Sequence, residues 1–381
     1  MTDGVQPPDV ALGAAPQATE AEERVSLASN WKLIWWRFRK HRLAMASCAV
    51  LILLYAVVLV PDFFSTQDPE ASVASQAFIP VQRLSFLDGW RLSPWVPTIT
   101  GRRNPVTLRM EWQADPSRRV RVHFLTRGYS YRVMGLFETD MHLLGTSPGS
   151  QNLYLLGTDR LGRDQWSRLM HGTRTSMTVG LVAVALSVVL GALLGGISGY
   201  FGGWPDLTIQ RLVELLQSLP TIPIWLAMTA ALPQDWPPQK VFFAITIILA
   251  LIGWTTLARE LRGRFLSLRE EDFVLAAELA GCSRARIIAR HMLPAVTSHI
   301  IATSTLAIPV LIVSETSLSY LGLGIRPPAI SWGVLLQEAQ NIQTIANAPW
   351  LLIPGVVVIV AVLAFNLVGD GLRDAADPYG H

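Results

Sequence analysis

"AAELAGCSRARIIARHMLP", residues 276–294, is the stretch that decides how the rest of the chain is read, because it sets a Gly, a Ser and three Arg between two long apolar segments. Just upstream, Phe265, Leu268, Phe273, Ala276, Ala277 and Ala280 recur at helical spacing and form an apolar stripe that ends at Gly281. Glycine takes the left-handed position after a helix at little steric cost, so a helix ends there. Ser283 offers a hydroxyl to cap a second helix, although Arg286 at its third position rules out a capping box, and Pro294 ends it. The expectation is a helix, a sharp turn and a short basic helix outside the membrane. Such a two-helix knob, small at its tip and charged on its sides, is shaped to be gripped by another protein.

The remainder is a membrane protein by composition. Of 381 residues, 51% are hydrophobic and 15% charged, with a mean hydropathy of +0.36, too apolar for a soluble chain of this length. Six apolar spans are expected: Leu43–Val60, Ser176–Ser198, Leu212–Leu232, Val241–Leu257, Ile300–Leu323 and Trp350–Leu367. Lys and Arg number five in 32–42, one in 200–211, seven in 259–290 and one in the tail, against only Lys240 and Arg326 in the short loops of the other side. That bias puts both termini and the knob in the cytoplasm. The first span follows a basic flank and leads into Pro61-Asp62-Phe63-Phe64, which fits an uncleaved anchor better than a signal peptide. Residues 1–28, rich in Ala, Pro and acid, are expected to be a disordered cytoplasmic tail.

The organisation that results is a tail (1–28), a basic flank with the first span (29–61), an extracytoplasmic insertion with an elbow (62–170), and a five-span core (171–381) holding the cytoplasmic loop 259–296. In the insertion, Val120, Val122 and Phe124 alternate with Arg121 and His123 and a turn is expected near Arg127-Gly128, a hairpin pattern. Asp159 and Asp164 are expected to cap turns of the elbow.

Ser187, Gly191, Gly195 and Gly199 recur every four residues in the second span, one helix face where a neighbouring backbone can approach closely. Ionisable groups at membrane depth cost on the order of ~3 kcal/mol each and need a partner or a purpose. Arg211 and Glu214 are spaced to pair on one helix face, with Pro220 beyond them as a bend or a gating hinge. Glu315, among Ser314 and Ser319, is expected to line a hydrated path, with hydrogen-bonded packing as the alternative. Cys48 and Cys282 are too far apart for a metal or disulfide motif, and no lysine follows a glycine, so no phosphate loop exists. The scattered basic blocks suit a lipid surface and not a nucleic acid, and no HExxH or other catalytic pattern marks an enzyme.

Residues 276–294 resemble the EAA loop of ABC import permeases, whose pattern is Glu-Ala-Ala, three residues, Gly, about nine residues, Ile, then Leu-Pro. The matches are Ala276, Ala277, Gly281, Ile287 or Ile288, Leu293 and Pro294, while the family's Glu falls on Leu275 and leaves Glu278, or Glu271 with Asp272, as candidates for its role. "LLGTDRLGRDQWSRLMHGTRTS" (155–176), "GYFGGWPD" (199–206), "QRLVELLQSLP" (210–220), "SETSLSYLGLGIRPPAISWG" (314–333) and "NLVGDGLRDAADP" (366–378) are similar to permeases of the dipeptide, oligopeptide and nickel importers, on the C-type side of the pair. The resemblance implies an all-α polytopic fold of the type I importer permeases with six transmembrane helices, enlarged here by the β-containing insertion. It further implies a homologous second permease, two cytoplasmic ABC ATPases that grip the knob, a periplasmic solute-binding protein and the bacterial inner membrane. ATP and Mg would serve those ATPases, with no cofactor or metal on this chain. The implied cargo is peptide, with nickel, opines or oligosaccharides as alternatives.

Overall fold

In the computed structural model residues 30–88, 91–106, 110–147 and 149–376 are described; the tail expected at 1–28 lies outside them. Helix α1 (Asn30–Lys40) carries the basic flank, and the His41 ring accepts the Ala44 N–H (3.1 Å) to cap α2 (Arg42–Leu59), the first span. Leu43, Ile52, Leu53 and Leu59 are exposed on it, as an apolar helix face in lipid should be. A single turn, α3 (Pro61–Phe64), starts with proline where the missing N–H has no bond to lose.

Next comes a four-stranded antiparallel meander, β1 (Ser85–Asp88), β2 (Arg91–Arg103), β3 (Met110–Val133) and β4 (Phe137–Thr146), in that spatial order. It packs as two small clusters, Val96, Val122 and Leu153, then Ile79, Ile99 and Tyr154. The expected turn at Arg127-Gly128 is corrected: β3 runs on through a register shift between Arg127 and Tyr131 and turns only after Val133. Gly128 marks a close approach instead, since a Cβ there would stand 2.6 Å from the His142 ring. Phe124, in phase with the buried Val122, is exposed.

The second span is the middle of a 37-residue helix, α4 (Gln165–Phe201). At 1.5 Å per residue it runs ~55 Å, well past a ~30 Å hydrocarbon layer. Its first turns are polar yet buried, with Gln165, Ser167, Arg168 and Thr173 all enclosed. The span read as one helix over Leu212–Leu232 is corrected to two, α5 (Gly203–Ser218) and α6 (Thr221–Ala230), meeting at 88°. Pro220 supplies no N–H to the ladder, and Leu219 before it is held extended (φ −95°, ψ 141°).

The chain continues as α7 (Pro238–Leu268), α8 (Asp272–Leu279), α9 (Arg284–Ile287), a π-turn (Ile288–Met292), α10 (Leu293–Ala295), α11 (Thr297–Tyr320), α12 (Trp332–Glu338), α13 (Ile342–Asn347) and α14 (Ile353–Ala376). Among the described residues five helical stretches are long and apolar enough to cross a membrane, six if the bent pair counts as one. The closest seam joins α4 to α7. A Cβ on Gly195 would lie 2.6 Å from the Ala258 carbonyl and one on Gly199 2.7 Å from that of Arg262, while Gly191 would meet the Leu257 Cβ at 3.0 Å. Ser187 donates to the Ala250 carbonyl (3.3 Å) on the same face. Larger residues would hold these helices apart, and lipid gives no hydrophobic drive to close the gap.

Candidate functional site

Past the apolar part of α7, Leu261 and Phe265 join Tyr200, Val274, Ala277, Ile287 and Met292 in a core separate from the main bundle. This knob sits at the end of α4 opposite the sheet. The face that α8 turns inward is Val274 and Ala277, and the small Ala277 lets the helix lie close. The expected stripe is therefore corrected: Phe273 (42% exposed), Ala276 and Ala280 point outward with Leu275 (44%) and Leu279 (91%). An apolar face with nothing on it is the knob's main feature.

The turn is built as the sequence implies. Gly281 has φ +75°, its N–H bonds the Glu278 carbonyl (2.9 Å), and the Cys282 N–H reaches back to Ala277 (3.1 Å), the bonding of a glycine-closed helix end. A Cβ at Gly281 would meet nothing within 4 Å, so glycine is there for its backbone angle and not for space. Two details differ. Ser283 occupies the N-cap position, but its hydroxyl accepts no capping bond. Pro294 does not end the second helix: the Leu293 N–H bonds Ile288 across a wider π-turn, and the chain goes on through α10. The wider turn accommodates the N–H that Pro294 lacks.

The knob is fastened to α4 by polar bonds. Tyr200 donates its hydroxyl to Glu278 (2.8 Å), Arg269 donates to the Tyr200 carbonyl (3.3 Å), and Arg284 lies over the Phe201 ring at 5.7 Å. Nearby, Arg262 on α7 makes a two-pronged bond to Asp206 on α5 (2.5 and 2.6 Å), and Asp206 also accepts from Ser198 on α4. Sequence reasoning missed this three-helix tie, although Asp206 stands in the quoted "GYFGGWPD". Arg211 and Glu214 pair at 2.8 Å as spaced, on an exposed face where such a bond is worth ~0–1 kcal/mol.

A cavity of 1380 Å³ opens between α1, α4, α5, α6, α7, α11 and α14, with Ser187, Gln217, Thr255, Thr256, Thr303 and the Glu260–His299 pair (3.1 Å) on its walls. The break at Pro220 lies beside it, between Gln217 and Thr221. Irregular backbone at membrane depth is tolerated where it lines a hydrated space. Glu315, Ser314 and Ser319, expected on a translocation path, do not line this cavity. Glu315 is 0% exposed and accepts from Ser176 (2.8 Å) on α4 and Ser319 (2.8 Å), so it binds helices together. Ser314 donates to the Val310 carbonyl of its own helix.

The elbow before α4 is closed in on itself. Asp159 takes Arg163 (2.6 Å) and Arg168 (2.5 Å), and Glu338 on α12 takes both again (2.8 and 3.0 Å). Asp164 caps α4 through the Ser167 N–H (2.8 Å) and also accepts from the Ser167 and Thr66 hydroxyls. Burial pushes its carboxyl up to about 6, against the pull of those hydrogen bonds.

A bundle with this many long apolar helices is a multi-spanning membrane protein. Residues 187–379 match the family of binding-protein-dependent transport system inner membrane components, and residues 29–83 match the N-terminal TM domain of oligopeptide transport permease C. The chain belongs to that transport family and is a permease subunit of the inner membrane, in systems that work with a binding protein and an ATPase. It is 37% identical over 242 residues to the oligopeptide transport system permease protein OppC of Haemophilus influenzae, covering 63% of this chain and 75% of that one. With the dipeptide transport system permease protein DppC of Alkalihalophilus pseudofirmus it shares 39% over 223 residues, 58% of this chain and 71% of the other. Among solved structures, a chain of the MetNI methionine ABC transporter in an inward facing conformation aligns with a TM-score of 0.43 at 16% identity, over 55% of this chain and 96% of that one.

Proposed function

We propose that this chain forms half of the path by which peptides cross the bacterial inner membrane, paired with a homologous second permease and driven by two cytoplasmic ABC ATPases. The relatives' names favour peptide over nickel, opines or oligosaccharides as cargo. The observation that carries the reading is the uncovered apolar face of α8, Phe273, Leu275, Ala276 and Leu279, on a knob with its own packed core. At the position where the resembled loop has Glu, Leu275 adds to that apolar face, so the ATPase contact here rests on burial more than on charge.

In this reading both termini and the knob are cytoplasmic, a solute-binding protein delivers cargo on the side of the sheet, and ATP and Mg are used by the ATPases alone. Closing of the ATPase pair pulls on α8. Glu278–Tyr200 and Arg284–Phe201 pass that pull to α4, the glycine seam passes it to α7, and the Asp206–Arg262 tie brings α5 along. The bent pair α5–α6 and the walls of the cavity then shift together, and the cavity is this chain's share of the inward-open path.

Leu279→Asp puts a charge on the open face without touching the packed one. The expected result is a protein that inserts and melts as before but retains at least about tenfold less ATPase on purification, on the scale of a lost interface anchor. Full ATPase retention by Leu279→Asp would refute the docking assignment.

A further inference from the structure

His142, on β4 and 2% exposed, sits between the hairpin and the far end of the first span. Its Nδ1 lies 2.8 Å from the Asp62 carbonyl and 3.1 Å from that of Ser65, and its Nε2 lies 3.0 Å from the carbonyl of Tyr129. All three neighbours are acceptors only. A neutral imidazole has one N–H, so it would leave a nitrogen lone pair facing a carbonyl lone pair, whereas the imidazolium supplies a donor to each side. The setting suits a cation in other ways. The rings of Tyr129 and Tyr131 stand 4.6 and 5.2 Å from the imidazole, and Gly128 leaves the space that the ring fills.

We propose that His142 is a proton-operated clasp: protonated from solvent, it ties β3, β4 and the α3 turn together, and on losing that proton it releases one of those ties. The charged and titratable groups around it are Asp62 on α3, His171 on α4 at 3.4 Å from the Asp62 carboxylate, Tyr129, Tyr131 and Arg127 on β3, Asp140 on β4, and Asp68 beyond α3. Asp62 accepts from the Tyr129 hydroxyl (3.0 Å); burial pushes its carboxyl up, but the His171 and Tyr129 bonds outweigh this and hold it below the ordinary range. It therefore favours the anion. The clasped state binds one more proton than the released one, so it is favoured at low pH and weakens as pH rises. The insertion would then sit tightly on the bundle in acid surroundings and loosely in alkaline ones, whichever cargo the subunit serves.

Hydrogen exchange of the full chain in nanodiscs, corrected for intrinsic rates, tests this at pH 5.5 and 8.0. Amides of 129–142 are expected to lose about tenfold in protection at the higher pH, the size of one charge-assisted bond. His142→Gln should abolish that difference, while Asp62→Asn and His171→Gln should keep it, because the clasp uses the Asp62 carbonyl and not its carboxylate. Equal protection at both pH values in the natural chain, a difference that survives in His142→Gln, or one that disappears in His171→Gln would each overturn the proposal. Should His142→Gln fail to insert, the natural chain and His171→Gln decide it.

Discussion

The elbow before α4 and the knob after α7 both depend on glycines at positive φ, and they depend on them for different reasons. In the elbow, Gly157 and Gly162 have φ +69° and +74°, and a Cβ would stand 2.5 Å from the Ile79 carbonyl and 2.0 Å from that of Val73. The chain crosses itself there, and the buried Arg168, Asp159 and Glu338 close over one another. In the knob, Gly281 has the same backbone angle with open space around it, and the helix that it ends leaves Phe273, Leu275 and Leu279 uncovered. A turn whose charged groups close over one another, even with Arg168 Nε and the Gln165 amide left buried without partners, is holding its own chain in place. One that is well built at its base and exposed at its face suits the docking proposed above.

The contrast makes unequal demands on substitution. The largest effect is expected at Arg168→Ala, which takes the buried guanidinium from between Asp159 and Glu338 and leaves the two carboxylates to Arg163 alone; removal of one member of a buried charged set costs ~3–5 kcal/mol. Thermal unfolding in detergent should show a large drop in midpoint, and a change within error would mean that the elbow is not the closed unit described. A smaller effect belongs to Gly281→Ala, where no atom is struck and only the left-handed backbone opposes the methyl, ~1–2 kcal/mol. Its midpoint should fall slightly, and Gly281→Asn should recover part of the loss, since Asn tolerates this region. A loss as large as that of Arg168→Ala would erase the distinction between the two turns.

Much of this was legible in the sequence. The apolar runs located the spans, the four-residue spacing of Ser187, Gly191, Gly195 and Gly199 located the α4–α7 seam, and Gly281 located the turn of the knob. The failures share a cause, which is that hydropathy reports what a residue prefers and not what it meets. The polar first turns of α4 are helical because Asp164 caps them and Arg168 finds the nearby Asp159 and, far along the chain, Glu338. Phe273 faces outward because Val274 and the small Ala277 fit the core of the knob better. Glu315 looked exposed to a hydrated path by its polar neighbours, and those neighbours, Ser319 with Ser176 from another helix, are what bury it. Gly128 reads as a turn signal, yet it makes room for His142, a partner fourteen residues away that no local pattern announces.

The claim on which the rest depends is that the open face of α8 is covered by an ATPase in the working assembly. Replacing Leu279 with a photo-crosslinking amino acid, and doing the same at the exposed Val106 of the insertion as a contrast, tests it directly on the complex in native membranes. Illumination is expected to join position 279 to a nucleotide-binding subunit and position 106 to no such subunit. A crosslink from 279 to a periplasmic protein, or none to any ATPase while the complex remains assembled, would contradict the account.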